Sequence, residues 1–138
     1  MSAGLVTFAL GEREYATPLS SIREVVRLEG LADLPGMTAP LAGVLDLRGT
    51  ALPVLDLRRG EADARGDVLV LEGHGESGLV GVAVDRVRAV VGPDDLGKGA
   101  AAGEELPSYV VEVLRGASGP VFLVDLSKMV DAAREAVR

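Results

Sequence analysis

The sequence predicts an all-β fold: two small, similar β-barrels packed together, with one short C-terminal helix. Three observations carry this. Hydrophobic residues make up 48% of the 138 residues but aromatics only 3%, so Val and Leu must do the packing, and valine enrichment favours strands. Short apolar runs alternate with tight turn signals. One hairpin is also written twice. "GVLDLRGTALPVLDLR" at 43–58 returns as "LRGASGPVFLVDL" at 114–126, each with Leu-Arg-Gly, three residues and Pro-Val.

Each element has its own signal. "LVTFAL" (5–10) reads as a strand, and "GERE" turns it into "YATPL" with Gly11 at the bend. "SSIREVVRL" fits a short helical turn or a strand, and "LADLPG", with Pro35 and Gly36, is a loop. "LAGVLDLRG" and "ALPVLDL" fold back at Arg48-Gly49-Thr50, where Gly49 would supply a positive φ. After the polar connector "RRGEADARGD", "VLVLEG" and "GLVGVAVDRVRAVV" form a hairpin around "EGHGESG". "GPDDLGKGAAAGEELPS" reads as a long flexible loop, then "YVVEVLRG" and "PVFLVDL" repeat the first hairpin. "SKMVDAAREAVR" is the convincing helix, with Ser127 as N-cap and Met129, Val130, Ala133 and Val137 along one stripe.

The repetition extends further. Setting "YATPLSSIREVV" (15–26) over "VGVAVDRVRAVV" (80–91), a shift of 65 residues, pairs Leu19 with Val84, Ile22 with Val87 and Arg23 with Arg88. The Leu-Arg-Gly motifs lie 67 apart. Duplication of one unit accounts for both. About five short strands per unit suit a small closed barrel. One domain, 1–138, is therefore expected, with approximate subdomains 1–65 and 66–127, exchanged strands allowed, and the helix over 128–138.

Charge narrows the function. A net charge of −7 disfavours a phosphate-tracking nucleic-acid binder and an anionic membrane surface. The absence of cysteine excludes disulfides, thiolate nucleophiles and cysteine metal sites. "MSAGLVTFALGERE" is not expected to be a signal peptide, and no apolar run approaches the roughly 18 residues of a membrane span. Cytoplasm is the expected compartment.

The residues in "FALGEREYATPLSSIREVVR", Leu34-Pro35, "LAGVLDLRGTALPVLDLR", "GVAVDRVRAVV" and "VFLVDLSKMV" follow the CheW-like pattern in order and spacing, over about residues 4–130. The chain thus resembles the bacterial chemotaxis coupling proteins and the homologous regulatory domain of their histidine kinase. The resemblance implies two five-stranded SH3-like barrels and a non-catalytic, stand-alone adaptor without cofactor. Its partners would be the cytoplasmic tip of a chemoreceptor and the regulatory domain of a chemotaxis histidine kinase, at membrane-associated arrays. It also implies that Ile22, Glu24, Gly43 and Arg48 belong to the groove meeting the receptor's helical tip. The family usually has Asn where this chain has Asp46, and the loop 92–107 is unusually rich in Gly and Ala. A paralogue serving a non-flagellar pathway is the nearest alternative. A small all-β ligand-binding module is the more distant one.

Other chemistry is weaker. "GPDDLGKG" (92–99) imitates a phosphate loop, but Gly99 stands where a hydroxyl is required and Asp94 and Asp95 would repel phosphate. His74, the single histidine, sits in a solvent-facing turn without an advertised partner. Asp56 and Asp125 end corresponding strands, which suggests hydrogen bonds to turn amides rather than a catalytic pair. No metal or cofactor set emerges, and barrels this small should be filled by their own side chains.

Strand alternation puts Val44, Asp46 and Arg48 on one face and Leu45 and Leu47 on the other, so the leucines point inward. In the second unit Ala89 replaces Glu24, leaving Arg115 without its acid, with Val111 and Val113 on its face. Repeats that diverge at exposed positions most simply serve different partners. The surface around Val87, Val111, Val113 and Arg115 is therefore assigned to the kinase; a β-bulge turning the two valines inward is the competing expectation.

Overall fold

The computed structural model describes residues 4–32, 41–58, 65–72, 78–101 and 105–135. The elements follow the turn signals. β1 (Leu5–Leu10) and β2 (Arg13–Pro18) form the first hairpin, and a 3-10 turn (Leu19–Ser21) leads into β3 (Glu24–Arg27). β4 (Leu41–Leu47) and β5 (Thr50–Asp56) form the second, β6 (Asp67–Glu72) and β7 (Leu79–Val84) the third, and β8 (Arg86–Val91) follows. After a 3-10 turn (Pro93–Asp95) come β9 (Gly97–Ala101), β10 (Val110–Gly116), β11 (Gly119–Val124) and α1 (Leu126–Glu135). Leu34-Pro35, His74 and Val137 lie outside the described residues.

The strands form two sheets, in the orders β8-β1-β2-β11-β10-β9 and β3-β6-β7-β5-β4. Exchanging β3 with β8, β6 with β1, β7 with β2, β5 with β11 and β4 with β10 converts the second order into the first five strands of the other. Each sheet therefore joins the opening hairpin of one half of the chain to strands of the other half, four in the six-stranded sheet and three in the five-stranded one. One junction in each sheet is parallel, β2 beside β11 and β5 beside β7, and the other, β1 beside β8 and β6 beside β3, is antiparallel.

"GLVGVAVDRVRAVV" is two strands, not the single strand expected, because Asp85 breaks it and sends β7 and β8 to different sheets. Asp85 is held at the crossover: its N–H donates to the Ala9 carbonyl (3.1 Å), and its carboxylate accepts from the Gly11 N–H (2.7 Å). Alternation specifies which face of a strand is buried, not which sheet it joins.

Neither sheet closes into the expected five-stranded barrel; among the described residues one sheet has six strands and the other five, with unpaired ends. The chain spans each gap by a bend instead of a ladder. After β8 it turns through Pro93–Asp95 and returns as β9 along β10. After β3 it turns at Gly30 (φ +70°) and touches β4 through a single bridge, Ala32 to Val44. The expected flexible loop at 92–107 thus contains a strand. Gly-Lys-Gly-Ala-Ala carries no hydrophobic period and is held by backbone pairing with β10.

Three core clusters follow. Val6, Phe8, Leu55, Leu69, Leu71, Val80, Val82, Val84 and Val124 fill the space between the sheets, sealed by Leu126, Met129 and Val130 of α1. A second cluster, including Leu28, Leu45, Leu47, Leu52, Val54 and Val68, fills the five-stranded sheet. Leu5, Ala16, Leu114 and Val121 form the third, on the six-stranded sheet. Asp125, not the expected Ser127, caps α1: its Oδ1 accepts from the Lys128 N–H at 3.2 Å. The helix thus starts two residues earlier than expected.

Candidate interaction site

The hairpin β4–β5 builds the candidate receptor site. Leu45 and Leu47 are buried, Val44 is half-buried and Asp46 and Arg48 are exposed, as the alternation requires. Leu47 pairs with Thr50, so the turn is the two-residue pair Arg48-Gly49. Both lie at positive φ (+50° and +87°), as in a type I′ turn. Gly49 was expected there; Arg48 was not, and among the described residues it is the non-glycine residue held in this region. Asp46 stabilises the turn, its Oδ1 accepting from the Gly49 N–H at 2.8 Å. An acceptor oxygen is what the turn needs, and aspartate supplies it as asparagine would.

The turn carries Arg48 to Glu24 on β3. Nη1 donates to Oε1 at 3.1 Å and Nη2 to Oε2 at 2.5 Å, a two-pronged pair. The Arg48 hydrogen bonds hold the Glu24 carboxyl below the usual 4.5; partial desolvation opposes this, and the charges of Arg48 and Arg23 add to it. Arg48 is raised in turn, chiefly by its hydrogen bonds to Glu24. Its side chain is 69% exposed against 25% for Glu24, so the acid is sheltered and the guanidinium presents an open face.

The other two members serve differently. Gly43 is buried, and a Cβ there would stand 2.5 Å from the Ala32 carbonyl oxygen, so its bareness permits the Ala32–Val44 bridge. Ile22 is half-buried, packs on the intersheet core, and helps line a 210 Å³ cavity with Ser20, Ser21 and Leu126. The structure thus joins Glu24 to Arg48 directly, while Gly43 and Ile22 shape the ground around them.

The second group is less compact. On β10, Val111 is 57% exposed, Val113 half-buried and Arg115 exposed. A bulge between Val110 and Glu112 does occur, yet it leaves both valines out of the core. Val87 lies on β8, four strand positions from β10, half-buried, with its N–H donating to Asp67 Oδ2 at 2.8 Å. Arg115 makes no ion pair among the described residues.

Several polar groups escaped the sequence reading. Arg23 pairs with Glu72 at 2.7 Å, and Arg88 with Glu14. The repeat had already aligned the two arginines, and each reaches an acid contributed by the opposite half of the chain. Arg58, its side chain 7% exposed, forms a two-pronged pair with Asp56 and donates to the Arg65 carbonyl. Both terminal aspartates accept turn amides as expected, Asp56 from Arg58 N–H and Asp125 from Lys128 N–H. A cavity of about 890 Å³, open to the surface, lies beside the β10–β11 turn, lined in part by Tyr15, Tyr109 and Phe122.

The chain is thus a two-sheet β module that presents an exposed, acid-oriented arginine. Among the described residues, no group of three or more His, Asp or Glu is placed to hold a metal. No described helix is long and apolar enough to cross a membrane. The chain belongs to the CheW-like domain family, whose profile matches residues 4–134. It is 26% identical over 98 residues to "Chemotaxis protein CheW" of Treponema pallidum, covering 63% of this chain and 56% of that protein. It is 32% identical over 139 residues to "Protein FrzA" of Myxococcus xanthus, covering 93% and 85%. The match thus spans less than two thirds of the Treponema protein and most of the Myxococcus one. The crystal structure of "scaffolding protein TtCheW" from Thermoanaerobacter tengcongensis shares the fold, with a TM-score of 0.70 at 21% identity over 91% of this chain and 86% of that one.

Proposed function

We propose that this chain is a non-catalytic adaptor that couples chemoreceptors to a chemotaxis histidine kinase at cytoplasmic, membrane-associated arrays. The observation that carries the reading is the Glu24–Arg48 pair, with the guanidinium raised on a rigid turn and still mostly open. Such a cation can engage a partner's acid or carbonyl without first being ordered, and Glu24 sets its direction. Ile22 and the backbone clearance at Gly43 complete the receptor surface. Val111, Val113 and Arg115, with Val87 at the far edge, form the kinase surface. The two surfaces act as separate docking points on one rigid body.

Co-sedimentation with a receptor cytoplasmic fragment and with a kinase regulatory domain tests this. Arg48→Ala should lose receptor binding by about tenfold or more while staying folded, since arginines are favoured anchors. Val113→Asp should lose the kinase and keep the receptor. Unchanged binding by both folded variants would sink the assignment. A second reading, a chemosensory pathway with an output other than flagella, is favoured by the near full-length FrzA match. Restoration of swimming in a coupling-protein deletion strain would count against it.

A further inference from the structure

The cavity beside the β10–β11 turn shares no lining residue with the eight residues of the two proposed docking surfaces. The chain has two tyrosines and two phenylalanines. Three of these four, Tyr15, Tyr109 and Phe122, line this one space. Each is half-buried, and Tyr15 sits between Phe8 and Phe122 on the neighbouring strands. Tyr15 stacks on Phe8 (centroids 5.6 Å apart) and tilts against Phe122 (5.7 Å), which fixes both rings before any ligand arrives. Pro107 and Pro120 extend the apolar wall.

The polar groups select the ligand. The hydroxyls of Tyr15 and Tyr109 make no hydrogen bond among the described residues, and Arg13 on the same wall makes no ion pair there. The site therefore offers unused donors. The strands beneath it, β1, β2, β10 and β11, are each paired on both sides, so no free ladder remains for an added β-strand. A fitting ligand is apolar and ring-bearing, rich in acceptors and poor in donors, and needs no backbone ladder. A polyproline II segment has these properties: its carbonyls are unsatisfied and its prolines lack N–H.

We propose that this cavity binds a proline-rich, extended segment of a partner protein, with proline rings against Tyr109 and the ring edges of Tyr15 and Phe122, and peptide carbonyls accepting from the tyrosine hydroxyls and Arg13. Glu12 on the rim and the net charge of −7 favour a segment flanked by a basic residue. This third contact is independent of the adaptor reading and would hold if that reading failed.

Because the chain lacks tryptophan, tyrosine fluorescence reads the site directly. The probe is acetyl-Pro-Pro-Leu-Pro-Pro-Arg-amide, with the peptide carrying Ala for each Pro as control. Saturable quenching is expected, with affinity about tenfold weaker for the alanine peptide. Tyr109→Leu should lose about tenfold, and Tyr109→Phe, the milder change, should lose part of that. Circular dichroism verifies that both stay folded. Arg48→Ala should bind the peptide normally. Equal binding of both peptides, binding of neither, saturation by indole alone, or peptide loss in Arg48→Ala would each overturn the proposal.

Discussion

The two Leu-Arg-Gly hairpins have identical spacing, yet they turn at different places. In the first the turn is Arg48-Gly49, closed by the Leu47–Thr50 pair. In the second it is Ala117-Ser118, closed by Gly116–Gly119. Leu47 therefore faces Thr50, while its counterpart Leu114 faces Val121. The partner moves by four residues, an even number, so both leucines still point inward, each 8% exposed. What changes is the arginine. Arg48 is lifted onto the turn beside an acid, whereas Arg115 stays in the strand, opposite Pro120 and next to Gly97 of β9.

Two residues account for the difference. Leu52, fully buried opposite Leu45, pins the first register, and its counterpart Gly119 has no side chain to bury. Asp46 supplies the acceptor that tightens the first turn, and its counterpart Val113 cannot. One duplicated motif thus yields an oriented cation in one copy and a plain strand in the other.

The largest expected effect tests the pin. Leu52→Ala should cost about 2–5 kcal/mol by urea denaturation, and Gly119→Ala, at φ +136° with open space around it, about 1 kcal/mol. Equal losses would mean that core burial does not separate the two registers. Next in size is the turn itself. A β-branched residue is poorly tolerated at positive φ, so Arg48→Val should lose roughly 1–2 kcal/mol while Arg48→Gly should not. Similar melting temperatures for these variants would show that the turn relaxes at no cost. The smallest effect is electrostatic. Arg48 lowers the Glu24 pKa in the folded state, so on acidification the unfolded chain takes up that proton first. The stabilisation by the pair is complete above the unfolded value near 4.5 and fades as pH falls through the lowered folded value. The small stability gap between wild type and Arg48→Ala should therefore narrow from about pH 7 to about pH 3, and a constant gap would show that the pair adds nothing.

Much of this was legible in the residues. The period of two along "VLDLR" placed Leu45 and Leu47 inward and Arg48 outward, and the repeated Leu-Arg-Gly exposed the duplication. Glu24 and Arg48 came through the family resemblance, and the structure joins them. What stayed hidden depends on relations that side chains do not encode locally. The exchange of hairpins turns on Asp85, one residue inside a stretch that reads as a single strand. β9 is held by main-chain bonds, so "GKGAA" has no pattern to read. The open space near Tyr109 is lined by residues from distant parts of the chain, among them Glu12–Tyr15 and Tyr109–Val110, and so is a property of the assembled sheet alone.

The parallel contact of β2 with β11 has a consequence for how the chain is made. β2 ends at Pro18, and its neighbour in the sheet spans Gly119–Val124. On the ribosome the opening hairpin must wait with both edges unsatisfied, one until β8 has emerged and the other until β11 has. Such long-range closure slows folding and leaves the early strands open to wrong pairing meanwhile. The six-stranded sheet is therefore completed late, when β11 joins the strand made second.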